Sequence, residues 1–350
     1  MALAPRIPAL SLLFALLFPA WQASAQTYPS HTVRIIVPFG AGGPADTAAR
    51  VLAQHLSETL KQSFIVENRP GAGSIIGTSE AAKAAPDGYT LLVMSDTHTT
   101  NESLMPNKPY QLMRDFVAVA PINYTDLMLV VTPSLAAKNL REFIALAKQN
   151  PGKFSYASSG QGTAYHMAAE LFKAKSGTDI VHVPHRAAGE MRSSVMGGHV
   201  QVMFDAISIS APNVLGGKLT ALGVTGGARS PILPDVPTMG EGGLSGFETA
   251  GIWGGVVAPA GTPKEIVNLL NIEINKIIAK PEVREGWATQ GAVPMVLTVS
   301  EFDAMLRKDI QERTELVRTS GLKPQQLRPD ESAKRTASDH NLNSPSYERP

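Results

Sequence analysis

Phe39, Gly40, Ala41, Gly42, Gly43 and Asp46 follow directly on the apolar run Val33–Pro38. A strand that ends in glycines and passes straight into a helix aims backbone N–H groups at one spot, at the positive end of the helix dipole. The chemistry offered by this spacing is anion binding. The logic repeats at Ser158, Ser159, Gly160, Gln161, Gly162 and Thr163, which follow Phe154–Ala157. The plainer alternative for the first loop is a tight turn in which glycine serves packing, behind anion binding, and the second, taken singly, is more often a capped helix start than a binding site. Taken together, one in each half of the chain, they suit a cleft between two α/β domains. Neither Gly40–Asp46 nor Ser158–Thr163 contains Arg or Lys. Backbone dipoles and hydroxyls would therefore do the holding, which suits a carboxylate that must also be released.

Other residues invite a chemical reading. Ser95–Asn101 is dense in short hydrogen-bonding side chains after a strand, and Thr97, His98 and Thr99 are its ligand candidates; a simple turn is the plainer alternative. Asp205 ends the otherwise apolar run Val200–Phe204 and could accept a hydrogen bond from a ligand hydroxyl or ammonium, or cap the helix that follows. Gly40-x-Gly42-x-x-Ala45 also fits a dinucleotide fingerprint, with Glu67 at the end of the second strand as the ribose-binding carboxylate. Catalytic and metal chemistry gain no such support. His182 and His185 stand three apart on a strand, so they point to opposite faces and cannot chelate one ion. His166 has no partner at helical spacing, there is no Gly-x-Ser-x-Gly elbow, and the chain has no cysteine. No catalytic residue, metal site or cofactor is expected, and the protein is not read as an enzyme.

These candidates need elements to position them, and the chain begins with a segment outside any fold. Arg6, the apolar stretch Leu10–Trp21 and Ala23-Ser24-Ala25 make a secretory signal over 1–25, cleaved before Gln26. Export also argues against the dinucleotide reading, because nicotinamide cofactors are not normally free outside the cytoplasm. With no cysteine there is neither a disulfide scaffold nor a lipid anchor, so the expected location is free periplasmic solution, without membrane insertion. A net charge of +1 with 17% charged residues argues against nucleic acid as a partner, and 43% hydrophobic residues can build two substantial cores.

The dominant pattern is strand, loop, helix, repeated. Val33–Phe39 reads as a buried parallel strand, followed by a helix over Pro44–Lys61 with Ala45, Ala49, Leu52, Leu56 and Leu60 on its apolar face and Pro44 at its first position. Strands at Phe64–Glu67 and Tyr89–Met94 flank a helix over Ile76–Ala84. The middle of the chain repeats this plan, with strands at Leu127–Val131, Phe154–Ala157, Ile180–Val183, Val200–Phe204 and Leu219–Val224 and helices over Leu140–Lys148 and from Ala164 to Gly177. Ser230–Gly246 reads as a connector. A strand at Ile252–Ala258 and helices over Pro263–Lys280 and Val299–Ser320 follow, and the polar tail 328–350 is expected to be disordered.

Motifs spread along the chain carry a resemblance. They include Tyr28-Pro29-Ser30, Ile36–Gly43, Val66–Gly73, Ala85–Leu92, Val181–Pro184, Gly197–Asp205, Leu233–Thr238 and Ala258–Pro263. In this order, over roughly Tyr28 to Pro324, the chain resembles the Bug receptors, the periplasmic solute-binding components of tripartite tricarboxylate transporters. The resemblance implies a type II periplasmic-binding-protein fold, an α/β fold in which two domains close over a ligand. The expected domains are 26–124 with 249–327, and 125–248. It implies that a ligand carboxylate is held by Phe39–Asp46 and Ser158–Thr163, and that Asp205 contacts the ligand's distal part. It also implies delivery to membrane subunits of a transporter; a monomer is expected. The chain departs from the family's common residues at Gly40, Pro44-Ala45, His185, Arg186 and Ala206, at or near the expected pocket, with His185 standing where Tyr is common. Two other classes stay in view: an exported α/β enzyme gripping a nucleotide with Gly40–Ala45, and a ligand sensor for a signalling partner.

Overall fold

The computed structural model describes residues 28–319 apart from 249 and 290, together with residue 324. The expected signal segment and polar tail lie outside the described residues. The first half runs β1 (Val33–Val37), α1 (Pro44–Leu60), β2 (Phe64–Asn68), α2 (Ile75–Ala82), β3 (Thr90–Ser95), α3 (Asp96–Leu104), α4 (Leu112–Asp115) and β4 (Phe116–Val131). Next come α5 (Leu140–Gln149), β5 (Ser155–Ser158), α6 (Ala164–Ser176), β6 (Val181–Pro184), α7 (Ala188–Met196), β7 (Val202–Ala206), α8 (Ile207–Leu215) and β8 (Thr220–Val224). The chain closes with β9 (Gly251–Pro259), α9 (Lys264–Ala279), α10 (Pro281–Ala288), β10 (Ala292–Pro294) and α11 (Val299–Thr319).

The strands order as β2-β1-β3-β9-β4-β7-β5-β6, and β8 and β10 pair with β4. β1 pairs in parallel with β2 and β3, as β5 does with β6 and β7. The period of two along each strand sends alternate residues to opposite faces. Val33, Ile35 and Val37 of β1 join a core with Leu91 and Val93, while Ile36 joins a second core with Leu92 and Met94. A separate large core gathers Leu127–Val131 with Phe143, Tyr156, Phe172 and Phe204.

β4 links the two groups of cores. Its Phe116–Asp126 stretch pairs with β9, and its Leu127–Val131 stretch pairs antiparallel with β7. Asp126 faces Gly251 in that register, so both crossings between the two halves lie side by side. Only the last five residues of β4 read as strand from sequence, because Pro121, Asn123, Tyr124 and Thr125 interrupt the apolar run and the register shifts at that point. The structure also corrects Ser95–Asn101: from Asp96 these residues are the first turns of α3 rather than a loop. β1 stops at Val37, two residues short of its expected end.

Candidate functional site

The first loop is built by α1 reaching back. Gly42, at φ +78°, donates its N–H to Asp46 Oδ2 at 3.0 Å, and Asn68 Nδ2 donates to Asp46 Oδ1 at 3.0 Å and to the Phe39 carbonyl at 3.1 Å. Asp46 is 4% exposed and Arg50 pairs with it at 2.9 Å. Burial opposes its ionisation, but the bonds from Arg50, Gly42 and Asn68 outweigh that and hold it below the usual carboxylate range. Asp46 therefore shapes the loop. Gly43 is the N-cap of α1, and no side chain caps the helix.

The second loop repeats the device with different chemistry. Gly162, at φ +74°, donates its N–H to Nδ1 of His166, four residues on, at 3.2 Å. Thr163 is the N-cap of α6, again without a side-chain cap, and its hydroxyl donates to the Gly160 carbonyl at 2.7 Å. Ser158 Oγ contacts Gly160 and lies 2.7 Å from His182 Nε2. His182 in turn stacks against both Tyr156 and His166, with ring centroids 4.8 and 4.4 Å away. Burial depresses both histidines, His166 to about 4 and His182 to about 3, so they are neutral supports. Sequence spacing gave no sign of this pairing, which tertiary packing alone creates. Ser159 is half-buried in the same loop, and His185 is tied to it through its N–H to the Ser158 carbonyl at 2.9 Å.

The two loops belong to halves that touch. A Cβ on Gly40 would lie 2.4 Å from Ala187 Cβ, and one on Gly73 would lie 2.8 Å from the Gln161 carbonyl oxygen. Leu104 of α3, Met167 of α6 and Val317 of α11 pack together across the same boundary. Arg192 of α7 joins the halves most directly. Its Nη2 donates to the Gly42 carbonyl at 2.9 Å, while its Nε lies 2.9 Å from Oδ2 of the fully buried Asp205. Asp205 also accepts bonds from Ala206 N–H and the Ser210 hydroxyl. Its pKa is raised, because burial outweighs Arg192 and these bonds. Sequence reasoning missed Arg192, since the small-residue segment around it gave no helical stripe.

Thr97, His98 and Thr99 are all buried in the first turn of α3. The Ser95 side chain caps that helix, and His98 Nδ1 accepts the Ser95 N–H at 3.1 Å. His98 Nε2 meets Thr78 Oγ1 at 3.0 Å, and its ring stands edge-on to Phe39. Burial holds it neutral, down to about 4. Thr99 bonds to Asp309 of α11. Glu67, the ribose candidate, is engaged by Arg34 through two bonds of 2.9 Å and by Arg69 at 3.1 Å. Among the described residues no group of three or more His, Cys, Asp or Glu could hold a metal ion.

Known proteins share this fold. The chain is similar to the periplasmic binding protein BugD, with TM-score 0.81 and 32% identity, covering 85% of this chain and 100% of that one. It is similar to Rpa4515 of R. palustris, solved with adipate, with TM-score 0.82 and 32% identity over 86% of this chain and all of that one. MatC of Rhodopseudomonas palustris, solved with bound malate, gives TM-score 0.79 and 31% identity over 83% of this chain and all of that one. The fold is thus that of the periplasmic binding proteins. A family model described as the tripartite tricarboxylate transporter family receptor matches residues 48–322, which takes in β2 through α11 and everything from Asn68 to Arg192 that shapes the two loops. By fold and by sequence, the chain belongs to the tripartite tricarboxylate transporter receptor family.

Proposed function

We propose that the protein captures a small carboxylate between two domains, 26–124 with 249–327 and 125–248, and delivers it to the membrane subunits of a tripartite transporter. As a member of its family it is a periplasmic solute-binding protein. One observation carries the finer reading. Two strand–glycine–helix junctions, at Gly42 and Gly162, have the same left-handed glycine, the same (i, i+4) side-chain tie and the same uncapped helix start. Helix N-termini of this kind favour negative charge. Similar proteins hold adipate and malate, both carboxylates. A ligand touching both loops stabilises the closed form, since only that form satisfies both at once.

The same reading makes the protein a monomeric carrier that catalyses nothing and starts near Gln26 after export. The ion pairs that occupy Glu67 speak against the nucleotide alternative. Among the described residues no helix is long and apolar enough to cross a membrane. Calorimetry on ligand-stripped protein tests the proposal with mono-, di- and tricarboxylates and acidic amino acids. Saturable heat is expected from at least one carboxylate and none from adenine or nicotinamide nucleotides. Silence across the carboxylates, or strong nucleotide binding, overturns it.

A further inference from the structure

We infer that closing the two halves takes up a proton at Asp96, so that carboxylate capture is coupled to proton uptake and tightens as its surroundings turn acidic. The inference rests on the two-half closure of the receptor reading above. Asp96 begins α3, which lies at the boundary between the halves. On one side α11 packs along this helix, and Thr99 donates to its Asp309. On the other side stands α6 with the loop before it. A Cβ on Gly162 would lie 3.0 Å from both Asn101 Oδ1 and Leu104 Cδ2, and Met167 packs on Leu104. Tyr165, in the first turn of α6, is within electrostatic reach of Asp96. Every side chain from Asp96 to Asn101 is buried, Asp96 at 1% exposure. Parting the halves takes α6 away and returns this face of α3 to water.

The charges around Asp96 do not balance. Arg313 of α11 is the cation that acts on it, and Arg313 is shared with Asp309, 3.5 Å away and one turn earlier. Asp309 is served twice, since it also accepts the Thr99 hydroxyl. Neither Oδ1 nor Oδ2 of Asp96 has a hydrogen-bond partner among the described residues, and its own N–H and the Ser95 hydroxyl pull on it less than Arg313 does. The Tyr124 and Tyr165 hydroxyls also sense Asp96; burial holds both neutral, and Asp205 acts on Tyr165 more strongly than Asp96 does. Two carboxylates and one guanidinium thus leave one negative charge over, which is costly where neither oxygen is bonded. A proton on Asp96 removes it. Burial accordingly pushes the Asp96 carboxyl up to about 7, with Arg313 opposing and Asp309 adding to the rise. With the halves apart, water solvates the carboxylate beside Arg313, and it ionises near its ordinary value of about 4. Other shifted groups near the boundary are bonded within their own half: Asp205 to Ala206 and Ser210, Asp46 to Gly42 and Asn68, His166 to Gly162, and His98 to Ser95 and Thr78. Closure therefore changes Asp96 most.

Between about pH 4 and about pH 7 the closed form holds a proton that the open form lacks, so affinity rises as pH falls and levels off above that window. Isothermal titration of ligand-stripped protein tests this with the tightest binder among succinate, malate, adipate, citrate and glutamate. It is run at about pH 6, about pH 7 and about pH 8, each in two buffers of different ionisation enthalpy. The wild type is expected to bind about tenfold tighter at the lowest pH than at the highest. The buffer dependence of its heat should read about one proton taken up at the lowest pH, about half of one at the middle pH and almost none at the highest. Asp96→Asn keeps the shape of the side chain but cannot take the proton. It should lose this uptake and bind at the highest pH at least as tightly as the wild type does at the lowest. Protons taken by the probe or by a histidine are common to both proteins, so the difference between them is the share of Asp96. The wild-type proton count, falling as pH rises, carries the test if the variant does not fold. A wild-type heat that does not depend on buffer, or equal uptake in wild type and variant, overturns the inference while the receptor reading stands. If none of these carboxylates binds, that reading fails and the inference with it.

Discussion

Asp46 and His166 occupy matching places, each accepting a glycine N–H from four residues back, yet one is ionised and the other neutral. This difference gives the protein's stability a pH dependence. His98, His166 and His182 are held down to about 4, 4 and 3 by burial. An unfolded chain takes up a proton at each near pH 6.5, and the native state refuses it until those lower values. The unfolded state then binds more protons, so stability rises with pH across this window and is lost as pH falls through it. Asp96 acts in the opposite sense. Held up to about 7 by burial, it keeps a proton in the native state that the unfolded chain loses near pH 4. Each group contributes a slope of up to about 1.4 kcal/mol per pH unit, and Asp126 and Asp205, also raised by burial, act in the same sense as Asp96. Urea unfolding at about pH 5 and about pH 6.5 reads the balance of the two sets, in which the histidines favour the higher pH. Asp96→Asn should shift that balance toward a greater loss of stability at the lower pH and make the protein more stable than wild type near neutrality. Equal slopes in wild type and variant would remove Asp96 from the account.

At the scale of elements, what the sequence disclosed depended on how plainly each segment's pattern matched its burial. β1 and α1 were legible because an unbroken apolar run and a stripe with Pro44 at its head leave little choice. The glycine loops were legible for the same reason, since a strand feeding a helix leaves few other places for Gly42 and Gly162. α3 was not. Asp96-Thr97-His98-Thr99-Thr100-Asn101 has poor intrinsic helix propensity, and the segment is helical because its start is capped and nearly all its side chains are buried. α7 and α8 were hidden by small residues, and Pro212 lies inside α8. Arg192 was hidden with them. A helix that depends on its cap should be sensitive to it. Ser95→Ala removes the bond that Ser95 Oγ accepts from the Thr97 N–H and should cost about 1 kcal/mol of stability. Chemical denaturation measures this, and a change within a few tenths would show that burial alone holds α3 in place.

For the molecule as a whole, the decisive contacts are those between the halves, which paired strand crossings at Asp126 and Gly251 join. Glycines lie where the halves come closest. Gly40 faces Ala187, and any Cβ there would meet Ala187 Cβ at 2.4 Å and its Cα at 3.2 Å. Backbone lies behind that contact, so the clash cannot be relieved by turning a flexible side chain. The three atoms nearest that Cβ all belong to Ala187 and Arg186 of the other half, so the clash arises where the halves meet. Gly40→Val therefore separates closure from folding. A ligand shifts a two-state equilibrium only by its differential affinity for the two states, and making the closed state inaccessible removes that difference. With a carboxylate that the calorimetric titration shows to bind the wild type as the probe, small-angle scattering should show the wild type contracting and Gly40→Val remaining extended. Affinity should fall by about tenfold or more, with the ligand-free melting temperature little changed. If the variant contracts as the wild type does, the approach of Gly40 to Ala187 is incidental to capture; if its ligand-free melting temperature falls steeply, Gly40 serves the fold of its own half.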